Sequence, residues 1–118
     1  MCRVLVVDDH PVVRKALVFY LRTRLRVECV EATNGYEALK SAAETKPDLV
    51  IMDYSMPVMN GLELQRHLVA SHPIPIIFIT ARNGDTREQA LRAVAVGFLT
   101  KPFSDQALIN ALDSALGA

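Results

Sequence analysis

The sequence has no charge of one sign to spare: Lys plus Arg and Asp plus Glu number 13 each in 118 residues. Binding to nucleic-acid phosphates leaves a basic excess as its footprint, so direct nucleic-acid binding by this domain is not expected, and there is no acidic tail. Cysteine is scarce. Cys2 and Cys29 have neither the number nor the spacing of a disulfide framework or a zinc site, and they read as reduced thiols. No apolar run approaches the roughly 20 residues that span a bilayer. The N-terminus meets Asp8 and Asp9 too early to hold a signal peptide's apolar region, so a soluble, cytoplasmic protein without membrane contact is expected. His10, His67 and His72 lack the i, i+4 spacing of helical metal ligands and read as surface histidines. Linkers and low-complexity stretches are also missing. With 51% hydrophobic and 22% charged residues, the chain fits one globular domain over residues 1–118, large enough for its own core.

What is present is organised around DLVIMDYSMPVMNGLEL, from Asp48 to Leu64. Its first residues are nearly all apolar, as in a strand buried on both faces of a parallel sheet. Asp53 stands at that strand's C-terminal end, where open α/β sheets place their ligands. Pro57 then interrupts the chain, and Asn60 with Glu63 three residues on forms a helix start.

The rest of the chain repeats this unit. Val4 to Val7 is a wholly apolar strand ending at Asp8 and Asp9, and Pro11 suits the first helical position because its missing N–H would have no partner there. Val13, Leu17 and Leu21 then mark an amphipathic helix whose Arg14, Lys15, Arg22 and Arg24 sit at polar positions. Those cations, with Arg26, read as a solvated face or as a docking surface for an acidic partner. Val27 to Ala32 alternates and suits an edge strand. Asn34 and Glu37 begin a helix with Ala38, Leu39, Ala42 and Ala43 on its apolar stripe, which Pro47 ends.

After the central strand and the helix carrying Leu62, Leu64 and Leu68, Ile76 to Ile79 is a third apolar strand, ending on Thr80. A helix starting near Asp85 and a strand from Gly97 to Thr100 follow, the latter leading into Lys101 and Pro102. Ser104 caps a last helix with Leu108 and Leu112 on its buried stripe. Five strands alternating with five helices predict a doubly wound α/β fold with a parallel sheet covered on both faces.

The strand ends then bring together Asp8, Asp9, Asp53, Thr80 and Lys101. Converging carboxylates repel, and protonation or a bound cation relieves them. Oxygen donors select a hard ion such as Mg²⁺. A lysine and a hydroxyl opposite that ion supply what holds a phosphoryl group, and a carboxylate can itself be the nucleophile. Singly, each of these acids would read as a turn or helix-cap residue. Together they read as a site.

VLVVDDHP, DLVIMDYSMPVMNGLEL, IIFITA and GFLTKPF, in this order along essentially the whole chain, resemble the receiver domain of two-component response regulators. The resemblance implies a (βα)5 flavodoxin-like fold with strand order 2-1-3-4-5. It implies that Asp53 is the phosphorylated residue, receiving its phosphoryl group from a histidine kinase or histidine phosphotransfer protein. It further implies that Asp8, Asp9, Asp53 and the Ser55 carbonyl hold Mg²⁺, that Lys101 contacts the phosphoryl group, and that Thr80 and Phe98 are the switch pair. A cis peptide at Lys101-Pro102 is also implied. Ser55 and Arg82 would flank the path of attacking water and set the phosphoryl lifetime.

Two positions depart from the family's common pattern: Val94-Ala95 replaces a frequent Gly-Ala, and Phe98 replaces a frequent Tyr. Without a phenol the aromatic has no solvent-seeking tip, so its inward state is less opposed and the active form is expected to be partly preformed. The opening VDDHPVVRKAL resembles receivers joined to helix-turn-helix DNA-binding domains, which leaves a stand-alone receiver and the N-terminal part of a transcription regulator both open. A phosphorylation-dependent homodimer is a further expectation. The readings that compete are a Mg²⁺-dependent phosphohydrolase working through an aspartyl phosphate, and a constitutive interaction domain.

Overall fold

The computed structural model describes residues 2–53, 66, 74–80, 97–100 and 103–116, with the backbone alone at 80, 97, 98, 100 and 116. The strands are β1 (Arg3–Val7), β2 (Glu28–Ala32), β3 (Leu49–Asp53), β4 (Ile76–Thr80) and β5 (Gly97–Thr100). The helices among the described residues are α1 (Pro11–Arg24), α2 (Gly35–Thr45) and α3 (Asp105–Leu116). Of the helix expected near Asn60 only Arg66, which is helical, is among the described residues, and the helix expected near Asp85 lies outside them. All four strand pairings are parallel, and the order is β2-β1-β3-β4-β5, as the resemblance implied. β2 is an edge strand, and β3, at the centre, is buried along its whole length.

Side-chain alternation divides the core in two. Leu5, Val7, Val50, Met52, Ile76 and Phe78 pack with Ala38 and Ala42 of α2 on one face. Val4, Val6, Leu49, Ile51, Ile77 and Ile79 pack with Leu17, Val18 and Leu21 of α1 and Leu108 and Leu112 of α3 on the other. A sheet covered on both faces explains why β1, β3 and β4 are continuously apolar.

Helix ends follow local chemistry. Asn34 Oδ1 accepts from the Glu37 N–H at 2.9 Å, capping α2. The Glu37 carboxylate reaches past Asn34 and accepts from the Thr33 N–H and hydroxyl. Pro47 keeps Lys46 out of the right-handed helical region, and Lys46 closes α2 in the left-handed one at φ 49°. Ser104 Oγ accepts from the Ala107 N–H at 3.1 Å at the start of α3.

The buried stripe of α1 differs from the expected one. It runs through Arg14, Leu17, Val18 and Leu21, while Val13 is exposed. Ala43 of α2 is likewise exposed, and Gly35, Ala38 and Ala42 carry the contact with the sheet. Cys29 is a free thiol that burial pushes up to about 11, which keeps it unreactive. Among the described residues no helix is long and apolar enough to cross a membrane.

Candidate functional site

Strand register brings the acids together. Val7 of β1 pairs with Met52 of β3, so the next step sets Asp8 beside Asp53 on neighbouring strands roughly 5 Å apart. Alternation then places both on the face where Val4, Val6, Leu49 and Ile51 meet α1 and α3. Asp8 and Asp53 are buried, at 2% and 4% exposure. Asp8, Asp9, His10 and Asp53 each present a ligand atom, and these atoms all lie within 4.8 Å of one another.

His10 belongs to this group although it is a surface histidine, as read from the sequence. Its ring is exposed, yet Nδ1 lies 3.3 Å from Asp8 Oδ1, 3.2 Å from Asp9 Oδ1 and 4.0 Å from Asp53 Oδ2. The i, i+4 spacing could not reveal this, because the cluster joins a loop to a second strand. Adjacency to Asp8-Asp9 was the available signal. The His10 N–H also donates to Asp8 Oδ1 at 2.9 Å, fixing that carboxylate.

Asp9 Oδ1 is buried without a hydrogen bond, since its contact with His10 has ion-pair distance but not hydrogen-bond geometry. A buried carboxylate oxygen left in this way is costly, and a hard cation among oxygen donors satisfies it. The residues present therefore fit a Mg²⁺ site.

The other predicted positions are reached through the backbone. Ile79 pairs with Asp53 and Thr80 pairs with Thr100, so the C-terminal ends of β4 and β5 lie along the same rim of the sheet as the acids, and Lys101 follows Thr100 in sequence. Lys101, Ser55, Arg82 and the side chains of Thr80 and Phe98 lie outside the described residues, as does the Lys101-Pro102 peptide.

The family model for the response regulator receiver domain matches residues 4–113. The chain belongs to the response regulator receiver family. It is 37% identical over 118 residues to the transcriptional regulatory protein YdfI of Bacillus subtilis, covering 98% of this chain and 55% of that protein. It is 38% identical over 104 residues to a protein-glutamate methylesterase/protein-glutamine glutaminase of Geobacillus kaustophilus, covering 85% of this chain and 30% of that protein. Among solved structures, chemotaxis protein CheY4 of Vibrio cholerae superimposes with a TM-score of 0.88 at 33% identity, covering 98% of this chain and 99% of that one. The receiver thus spans about half of the first of these curated relatives and under a third of the second.

Beside the acids the receiver carries a charge group that the sequence pattern alone would set in solvent. Arg14 is 8% exposed. Its Nε donates to Glu31 Oε1 at 3.0 Å and its Nη1 to the Asp8 carbonyl at 2.8 Å, while Lys15 Nζ donates to Glu31 Oε2 at 3.1 Å. Arg22 in turn donates to the Cys29 carbonyl at 3.1 Å. Three of the five cations on and near α1 therefore hold the helix to β1 and β2, leaving less free charge for an acidic partner than the sequence promised.

Desolvation pushes the Glu31 carboxyl up, but hydrogen bonds from Lys15 and Arg14 and their charges outweigh it and hold Glu31 below its ordinary value of 4.5. Glu37, Lys40 and Glu44 of α2 line the same polar groove. A depressed acid contributes stability that is present above its unfolded pKa and lost as pH falls through the folded one. We expect Glu31→Gln to be less stable than the wild type by about 1–3 kcal/mol at pH 7, because a buried guanidinium loses its charged partner. That gap should stay level down to about pH 4.5 and close below it. Urea unfolding of both proteins from pH 7 to pH 3 measures it; a gap that does not depend on pH would contradict the pairing.

Proposed function

We propose that this receiver is a phosphorylation-controlled signalling switch in which Asp53 takes a phosphoryl group from a histidine kinase or histidine phosphotransfer protein in the cytoplasm. One observation carries the reading: the carboxylates of Asp8, Asp9 and Asp53 converge, and one buried oxygen of Asp9 has no hydrogen bond. In this reading an Asp53 carboxylate oxygen forms a bond to phosphorus as the N–P bond of the donor's phosphohistidine breaks. The imidazole leaves with the bonding pair and takes a proton.

Asp8, Asp9, Asp53 and the Ser55 carbonyl would hold Mg²⁺, which when bound neutralises charge on the phosphoryl oxygens. Lys101 would contact the phosphoryl group, and Thr80 would donate a hydrogen bond to it. Drawing Thr80 and Phe98 inward would then bias the surface formed by β5 and the helices flanking it. Ser55 and Arg82 would control access of the hydrolytic water.

A groove of about 420 Å³, lined by Val12, Val13, Tyr20, Phe103 and Leu108, begins at the first turn of α1, next to His10. Val12 and Phe19 on the same helix are strongly exposed. This apolar face supports docking of a phosphodonor helix close to Asp53. A C-terminal DNA-binding output domain and a phosphorylation-dependent homodimer are the outputs we favour, and the likeness to a transcriptional regulatory protein is in keeping with the first.

The test is intact-protein mass spectrometry after incubation with acetyl phosphate, with Mg²⁺ or with EDTA. An adduct of one phosphoryl group that needs Mg²⁺ is the expected result. Continuous release of phosphate without adduct would favour the phosphohydrolase, and absence of both adduct and Mg²⁺ binding would favour a constitutive interaction domain.

A further inference from the structure

The peptide unit between Asp8 and Asp9 joins two of the three converging acids, and Arg14 holds its oxygen. The Arg14 Nη1 to Asp8 carbonyl bond is 2.8 Å long and buried. A peptide is planar, so fixing that oxygen fixes the plane and the direction in which the chain leaves for Asp9. The same loop is held elsewhere by the Asp8 N–H on the Ala32 carbonyl at 3.1 Å, and by the Arg14 N–H on the His10 carbonyl at 2.9 Å. Asp9 Oδ1 has no hydrogen bond of its own, so apart from the His10 ring 3.2 Å away the aim of that carboxylate depends on its backbone.

Arg14 is itself braced. Glu31 of β2 accepts from its Nε, and Lys15 holds the second Glu31 oxygen. We infer that Arg14, braced by Glu31, is a positioning residue that sets the angle between the Asp8 and Asp9 carboxylates and thereby the affinity of the acid cluster for its cation. This rests on the proposed Mg²⁺ site. The planar fork suits this role, because two donors diverge from one rigid group, one toward β2 and one toward the loop. A lysine offers a single ammonium on a flexible stem and cannot reproduce both contacts.

The experiment compares Mg²⁺ affinity by calorimetry, and amide hydrogen exchange without Mg²⁺, in the wild type, Arg14→Met, Arg14→Lys and Glu31→Gln. Supports of metal ligands typically change affinity by about 10–100-fold, and we expect that range for Arg14→Met, with no full rescue by Arg14→Lys and a smaller weakening in Glu31→Gln. In the Mg²⁺-free protein, exchange at the His10 amide should accelerate at least about tenfold more than exchange in α2 and α3, whose protection falls only in step with overall stability; equal acceleration everywhere would mark a purely structural loss. If Arg14→Met does not fold, Glu31→Gln decides by the same two readouts. Unchanged affinity and unchanged His10 exchange in a folded variant overturn the inference. A wild type that binds no Mg²⁺ overturns the proposed function instead, and the His10 exchange then still decides whether Arg14 holds the loop.

Discussion

Asp53→Asn is expected to take up no phosphoryl group under conditions in which the wild type does, its initial rate with acetyl phosphate falling by roughly 10⁴-fold or more, the scale on which removing a nucleophile acts. An amide of the same size occupies the same place at the end of β3, where Asp53 is 4% exposed. What disappears is an anionic oxygen able to attack phosphorus. The variant also removes one of the converging charges, so its affinity for Mg²⁺ should fall as well. Intact mass and initial rate, read beside circular dichroism to confirm the fold, measure the effect. Adduct formation at an undiminished rate would mean that another residue is the acceptor.

The largest loss of stability is expected from Phe78→Ala. Phe78 lies in the middle of β4 with 0% exposure, packed among Val50, Met52 and Ile76 beneath α2. Deleting a ring there removes apolar burial and leaves a cavity, at a cost of about 3–5 kcal/mol. A domain of this size holds about 5–15 kcal/mol in all, so about a fifth or more of its stability is at stake. Urea unfolding should show a lower midpoint with an unchanged slope. A change below about 1 kcal/mol would show that the site can collapse around the deletion. Because β4 pairs with both β3 and β5 and ends on Thr80, loosening it would also disturb the alignment of the strand ends.

The strands were legible because a sheet covered on both faces demands uninterrupted apolar runs, and Val4 to Val7 and Ile76 to Ile79 are too short and too β-branched to suit a buried helix instead. The acids were legible for a related reason. A parallel α/β sheet gathers its strand ends along one rim, and the adjacency of β1 and β3, which the family resemblance implied, brings Asp8, Asp9 and Asp53 together there. Their partners were harder to see. Arg14 looks like one more cation on an amphipathic helix, and only the pairing of Val6 with Glu31 across β1 and β2 puts a carboxylate within its reach. Val13 suits the core by its spacing of four, but the true stripe follows Leu17 and Val18 together, and the groove toward Phe103 leaves Val13 open. His10 escaped because ligand spacings describe single elements, whereas this cluster is assembled by the fold.

The most direct test of the central claim is chemical mapping of the acceptor. The wild type is incubated with acetyl phosphate and Mg²⁺, reduced with borohydride, which converts an aspartyl phosphate to homoserine, and digested for peptide sequencing by mass spectrometry. Phosphorylation of Asp53 at a Mg²⁺ site predicts homoserine at position 53 and at no other aspartate, and its loss when Mg²⁺ is replaced by EDTA. Homoserine at Asp8 or Asp9, or equal conversion of Asp53 without Mg²⁺, would contradict it.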